Sequence, residues 1–147
     1  MSEMLGNQYF LARRYSDAYY ELEAELRKET ADRKSISKKL IICYLQTDQI
    51  EKAFEMFYSI VTRNVNIITD TNPEKDGCPC PEIIEENLPH LKSNNDFEQK
   101  LKMGILWLYC DIKKSIEYFE KINAEERFTK EINKIITVLK SHTVKIN

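Results

Sequence analysis

Two thiols stand one residue apart in the stretch Gly77-Cys78-Pro79-Cys80-Pro81. Cysteines at that spacing in a proline-stiffened turn could share a soft metal or close on each other as an easily reduced disulfide. His90 would be a third ligand. A structural zinc site takes four, so Cys78, Cys80 and His90 fall short of a cage unless Cys43 or Cys110 joins them. No metal or other cofactor is therefore expected, and a chemically inert loop is the preferred reading. Cys43 and Cys110 lie in apolar, helix-like surroundings, where cysteine behaves as a small buried hydrophobe. His142 has no ligand partner at i, i+4, and three glycines are too few for a nucleotide-binding loop. Carboxylate pairs such as Glu85 and Glu86 belong to solvated helix faces rather than acid–base dyads. No catalytic residue can be nominated, and the expectation is a protein that is not an enzyme.

The elements that must carry these residues are helices. The chain has 147 residues, 42% of them apolar and 31% charged, the balance of one domain with a real core. Seven glycines and prolines together cannot punctuate a β-sandwich or barrel. No apolar run is long enough for a membrane span, and the first residues lack an export signal, so a cytoplasmic protein with reduced thiols is expected.

The formal net charge of −2 gives no general attraction for nucleic acid or an anionic membrane surface. Its distribution is uneven. Residues 1–63 carry ten acidic and ten basic side chains, 64–96 carry seven and two, and 97–147 carry seven and ten. The acidic stretch also holds Pro73, Pro79, Pro81 and Gly77, which marks an insertion at 64–94.

Apolar residues recur at helical spacing at Ile50, Ala53, Phe54, Phe57, Ile60 and Val61, and again at Phe97, Leu101, Ile105 and Leu108. Further stripes run through Ile112, Ile116 and Phe119, and through Phe128, Ile132, Ile135, Ile136 and Leu139. Helices are predicted at about 2–13, 15–29, 33–46, 48–63, 95–109, 112–123 and 125–141, joined by short turns. Inside the insertion, Val65, Ile67 and Ile68 suggest a short extended piece, and Pro81 followed by Glu82 predicts a helix at about 81–88.

Internal similarity organises these helices. Gly6, Tyr9, Tyr15, Ala18 and Leu22 are followed 35 residues later by Tyr44, Ile50, Ala53 and Phe57 in the corresponding positions, and Leu106, Ile112, Ser115 and Phe119 keep the same mutual spacing beyond the insertion. This pattern resembles the tetratricopeptide repeat, whose small residues sit where paired helices approach most closely and whose aromatics fill the space between pairs. The resemblance implies an all-α, right-handed superhelix of three antiparallel helix pairs in a single domain. Residues 1–63 would hold the first two pairs, 95–123 the third, and the helix at 125–141 would cap the stack.

The same resemblance implies a non-enzymatic adaptor or scaffold that binds a protein or peptide in the groove lined by the first helix of each pair. Carried over by position, the groove would present Glu3, Asn7 and Phe10, then Ser35, Lys38, Ile42 and Leu45, then Lys100, Gly104 and Trp107. The carboxylate clamp of the chaperone-tail binders is not expected, because only Asn7 matches it. Two other readings stay open: an oligomerisation subunit whose groove is filled by a second copy, and a small thiol- or metal-dependent protein using Cys78 and Cys80. The insertion is expected to fold over the groove or its edge, since Ile67, Ile68, Ile83, Ile84, Leu88 and Leu91 are too apolar for a solvated tail.

Overall fold

The computed structural model describes residues 2–88, 97–122 and 127–146. Of these residues 77% are helical, in nine helices, and none is in a strand. Three helical hairpins organise the chain: α1 (Ser2–Leu11) with α2 (Tyr15–Leu26), α3 (Arg33–Gln46) with α4 (Ile50–Asn64), and α7 (Phe97–Leu108) with α8 (Ile112–Glu120). Between the second and third lie α5 (Asn66–Thr69) and α6 (Cys80–Asn87), and α9 (Thr129–Ile146) ends the chain. Neighbouring elements pack in order, α2 on α3 and α8 on α9, while α4 touches both α7 and α9.

The first two hairpins turn in the same way. Arg13 and Asp48, 35 residues apart, both adopt left-handed backbone, with φ of 63° and 59°. The following amides, Arg14 N–H and Gln49 N–H, each donate 2.8 Å to the carbonyls of Tyr9 and Tyr44. This is the six-to-one bond of a Schellman stop, made here without glycine at the left-handed position. In the third hairpin the chain turns one residue sooner: Asp111 N–H reaches the Trp107 carbonyl at 2.6 Å. The Asp111 carboxylate then caps α8 by accepting from Lys113 N–H at 3.0 Å.

Small residues mark the closest approaches between paired helices. Ala18, Ala53 and Ser115 are fully buried, and the Ser115 hydroxyl donates 2.6 Å to the Gly104 carbonyl. The core runs through the stack from Leu22 and Leu40 to Phe57, Phe119 and Leu139. Rings join its halves: Phe57 lies 5.9 Å from Phe119 between centroids, and Phe54 stacks on Phe128 at 4.5 Å.

Two expectations are corrected. The segment at Val65, Ile67 and Ile68 is not extended. It is the helical turn α5, held by Thr69 N–H and Asp70 N–H on the carbonyls of Val65 and Asn66, and it places Ile68 wholly inside. The last helix does more than cover the third hairpin. Nine residues of α8 span only about 13 Å, too little for an 18-residue partner. α9 packs on α4 as well as on α8. Just before it Phe128 stacks on Phe54 and Arg127 pairs with Glu51 at 3.0 Å, and towards its end His142 comes within 3.5 Å of the Thr69 hydroxyl of α5. The helix expected at 81–88 is present as α6, with proline in its first turn.

Burial sets a prediction for alkaline pH. It pushes the Tyr15 hydroxyl and the Cys43 thiol up to about 12, and raises Tyr109 and Tyr44 as well, the last with help from its hydrogen bond to Glu23. In the unfolded chain these groups lose their protons earlier, so their contribution to stability is complete below about pH 9 and declines as the pH climbs through about 12. The urea midpoint is expected to be flat with respect to these groups up to about pH 9 and to fall steadily above it.

Candidate functional site

A cavity of about 550 Å³ opens on the first helices of the first two hairpins. Phe10 from α1 and Ile42 from α3 form its apolar floor, together with Tyr109 from the end of α7 and Ile67 from α5. Polar groups ring it: Lys34, Ser35, Lys38 and Lys39 on α3, and Asp70, Thr71 and Asp76 on the facing segment. The acidic segment after α4 therefore walls the cavity on one side. Ile68, Cys80, Ile83 and Ile84 anchor that wall in the core, and Glu82 ties it to α1's turn through Arg13 at 3.2 Å. Leu88 is exposed, and Leu91 lies outside the described residues.

Tyr109 connects the floor to the wall of α3. Its ring is buried, and its hydroxyl donates 2.6 Å to the backbone carbonyl of Lys38. The Lys38 amine is held below its usual pKa by burial, partly offset by the negative charges of Asp76, Asp70 and Asp32. Asp32 is itself occupied as the cap of α3, accepting from Ser35 N–H at 3.2 Å. The Thr71 hydroxyl oxygen is buried and finds no hydrogen-bond partner among the described residues. The cavity thus carries both charges above its apolar residues, with the α3 lysines and the capping Asp32 on one wall and Asp70 and Asp76 on the other.

Of the residues carried over by position, Phe10, Ser35, Lys38 and Ile42 come together here. Asn7 lies beside them and accepts from the Lys39 amine at 2.8 Å. Glu3 has no described side chain. Leu45 does not line the cavity, and Phe10 and Ile42, which do, are themselves core residues at 1% exposure. The third hairpin departs from expectation. Lys100 reaches over to donate to the Lys121 carbonyl at 3.3 Å, Gly104 lies against Phe119, and Trp107 carries the Lys114 amine 5.5 Å above its ring. All three contacts are with α8 or its end. Gly104 meets Phe119 much as Gly6 meets Leu22, but the glycines are 98 residues apart and their partners 97. α7 is therefore shifted by one residue against α8, and one residue turns a helical side chain by about 100°. Tyr109, Asp70 and Asp76 fill the places left open. The repeat pattern gave no signal for them, since they belong to the turn and to the insertion.

The thiol pair is also resolved in geometry. Cys78 and Cys80 are paired as a disulfide, with Cα atoms 5.4 Å apart. His90 lies outside the described residues, and among those described no group of three His, Cys, Asp or Glu side chains could hold a metal ion. Cys43 is buried, as expected, whereas Cys110 is exposed at the turn after α7.

No helix among the described residues is long and apolar enough to cross a membrane. Comparison of the chain with protein-family models, with curated proteins and with solved structures finds no match.

Proposed function

We propose that this chain is a tetratricopeptide-like interaction module of the cytosol that binds a peptide segment of a partner protein in the cavity between α1, α3 and the insertion. The observation that carries this reading is the convergence of Phe10, Ser35, Lys38 and Ile42 on one concave surface, each at a position where the family resemblance puts ligand contacts. The repeated hairpin turns at Arg13 and Asp48 and the small residues at 18, 53 and 115 support the repeat itself. The insertion narrows the groove to a site for a few residues, so specificity comes from a short segment with opposite charges flanking an apolar side chain.

Peptides selected from a random library on the wild-type domain test the proposal. Their affinity is expected to drop at least about tenfold on Lys38→Gln, which removes a cation from the α3 wall without touching the core, with circular dichroism confirming an intact fold. Equal binding to both proteins would exclude the cavity as the site.

A further inference from the structure

We propose that the Cys78–Cys80 disulfide is a thiol–disulfide exchange site opening on the cavity, and that it takes a small cysteine-containing peptide bearing both carboxylate and ammonium groups. This adds a covalent step to the peptide binding proposed above and rests on the cytosolic setting of that reading.

The bond is poorly placed to be a structural staple. It closes a loop with one residue between its ends, and the stabilisation a cross-link gives grows with the loop it closes. It ties no two elements together. In a cytosolic protein a disulfide that is not structural belongs to exchange chemistry.

The two sulfurs are unequal. Cys78 is half-buried and lines the cavity, while Cys80 has no exposed surface and is the first residue of the eight-residue helix α6. An incoming thiolate can reach Cys78 but not Cys80. Attack on Cys78 Sγ forms a new sulfur–sulfur bond to the substrate and breaks the bond to Cys80. The electron pair goes to Cys80 Sγ, which departs as a thiolate at the positive end of α6. A second substrate thiolate attacking the substrate sulfur of this mixed disulfide releases substrate disulfide and leaves Cys78 as thiolate. Two thiols are then oxidised, one protein disulfide is reduced, and the two protons pass to the protein thiolates through water. In the reverse direction a substrate disulfide reoxidises the pair.

The lining of the cavity sets the substrate. Lys38 offers a cation beside the capping Asp32, and Asp70 and Asp76, the latter also accepting from Asn72 N–H at 3.0 Å, offer anions on the facing segment. The buried Thr71 hydroxyl has a hydrogen bond to give or receive on the same wall. A thiol with both kinds of charge, such as glutathione, meets complementary groups on either side of its sulfur, whereas 2-mercaptoethanol meets neither.

The test uses the full chain carrying Cys110→Ser, which removes the other exposed thiol. With glutathione disulfide, a Cys80→Ser variant is expected to take up one glutathione on Cys78, read by intact mass and peptide mapping, and a Cys78→Ser variant none on Cys80. Reduction of the pair by glutathione, measured relative to 2-mercaptoethanol, is expected to slow at least about tenfold in Lys38→Gln, the worth of one charge-assisted hydrogen bond. Adduct on Cys80, two freely alkylated thiols in the air-oxidised native protein, or a rate ratio unmoved by Lys38→Gln would each overturn the proposal. Selected-peptide binding by the Cys78→Ser, Cys80→Ser double variant separates this outcome from failure of the binding site.

Discussion

Replacing Phe57 with alanine is expected to cost about 3–5 kcal/mol of folding free energy, the range for emptying a buried aromatic site. Phe57 has no exposed surface and faces Phe119 across the joint between the second and third hairpins. Its neighbours sit on helices held in place by their own packing, so they cannot close fully over the space left behind. Truncation removes both the ring's burial and the contact that seats the third hairpin. A loss this large is a substantial share of the stability of a domain of this size. It is read from the shift in urea midpoint at constant slope, and a cost below about 1 kcal/mol would mean that the joint is not packed as described.

Gly104→Val is expected to destabilise by about 1–3 kcal/mol through overpacking. A Cβ at this position would lie 2.9–3.0 Å from three atoms of the Phe119 ring. That ring has little room to retreat, because Phe57 lies beyond it. The hydrogen bond from Ser115 to the Gly104 carbonyl depends on the same close approach. Gly104→Ala is expected to cost less, since alanine recovers up to about 1 kcal/mol of helix propensity. Thermal unfolding of the two variants beside wild type checks the order. A Gly104→Val variant as stable as wild type would show that α7 and α8 stand further apart.

The helices and their pairing were legible because the apolar residues repeat every three to four positions and the breaks are short. The stripe through Ala53, Phe54, Phe57 and Val61 is buried as the periodicity requires. The acidic insertion was legible too, from its prolines and charge, and its isoleucines announced that it must be covered. Details that depend on one residue of register were not. The carried-over positions Lys100 and Trp107 turn toward α8 because the third hairpin turns one residue sooner, which no composition or spacing rule reveals. Tyr109 went unrecognised because, in an apolar run, a tyrosine destined for a buried hydrogen bond looks like any other core residue. The left-handed Arg13 and Asp48 carry no glycine to signal them. The helical turn at Asn66–Thr69 is too short for periodicity to separate from a strand.

The most direct measurement is the position of a bound peptide. Amide chemical shifts recorded during titration with a selected peptide are expected to move at Phe10, Ser35, Lys38, Ile42, Thr71 and Tyr109 together, with α8 and the exposed face around Tyr20 unchanged. Shifts centred on Trp107, Lys114 and the outer face of α8, with the cavity residues still, would contradict the account.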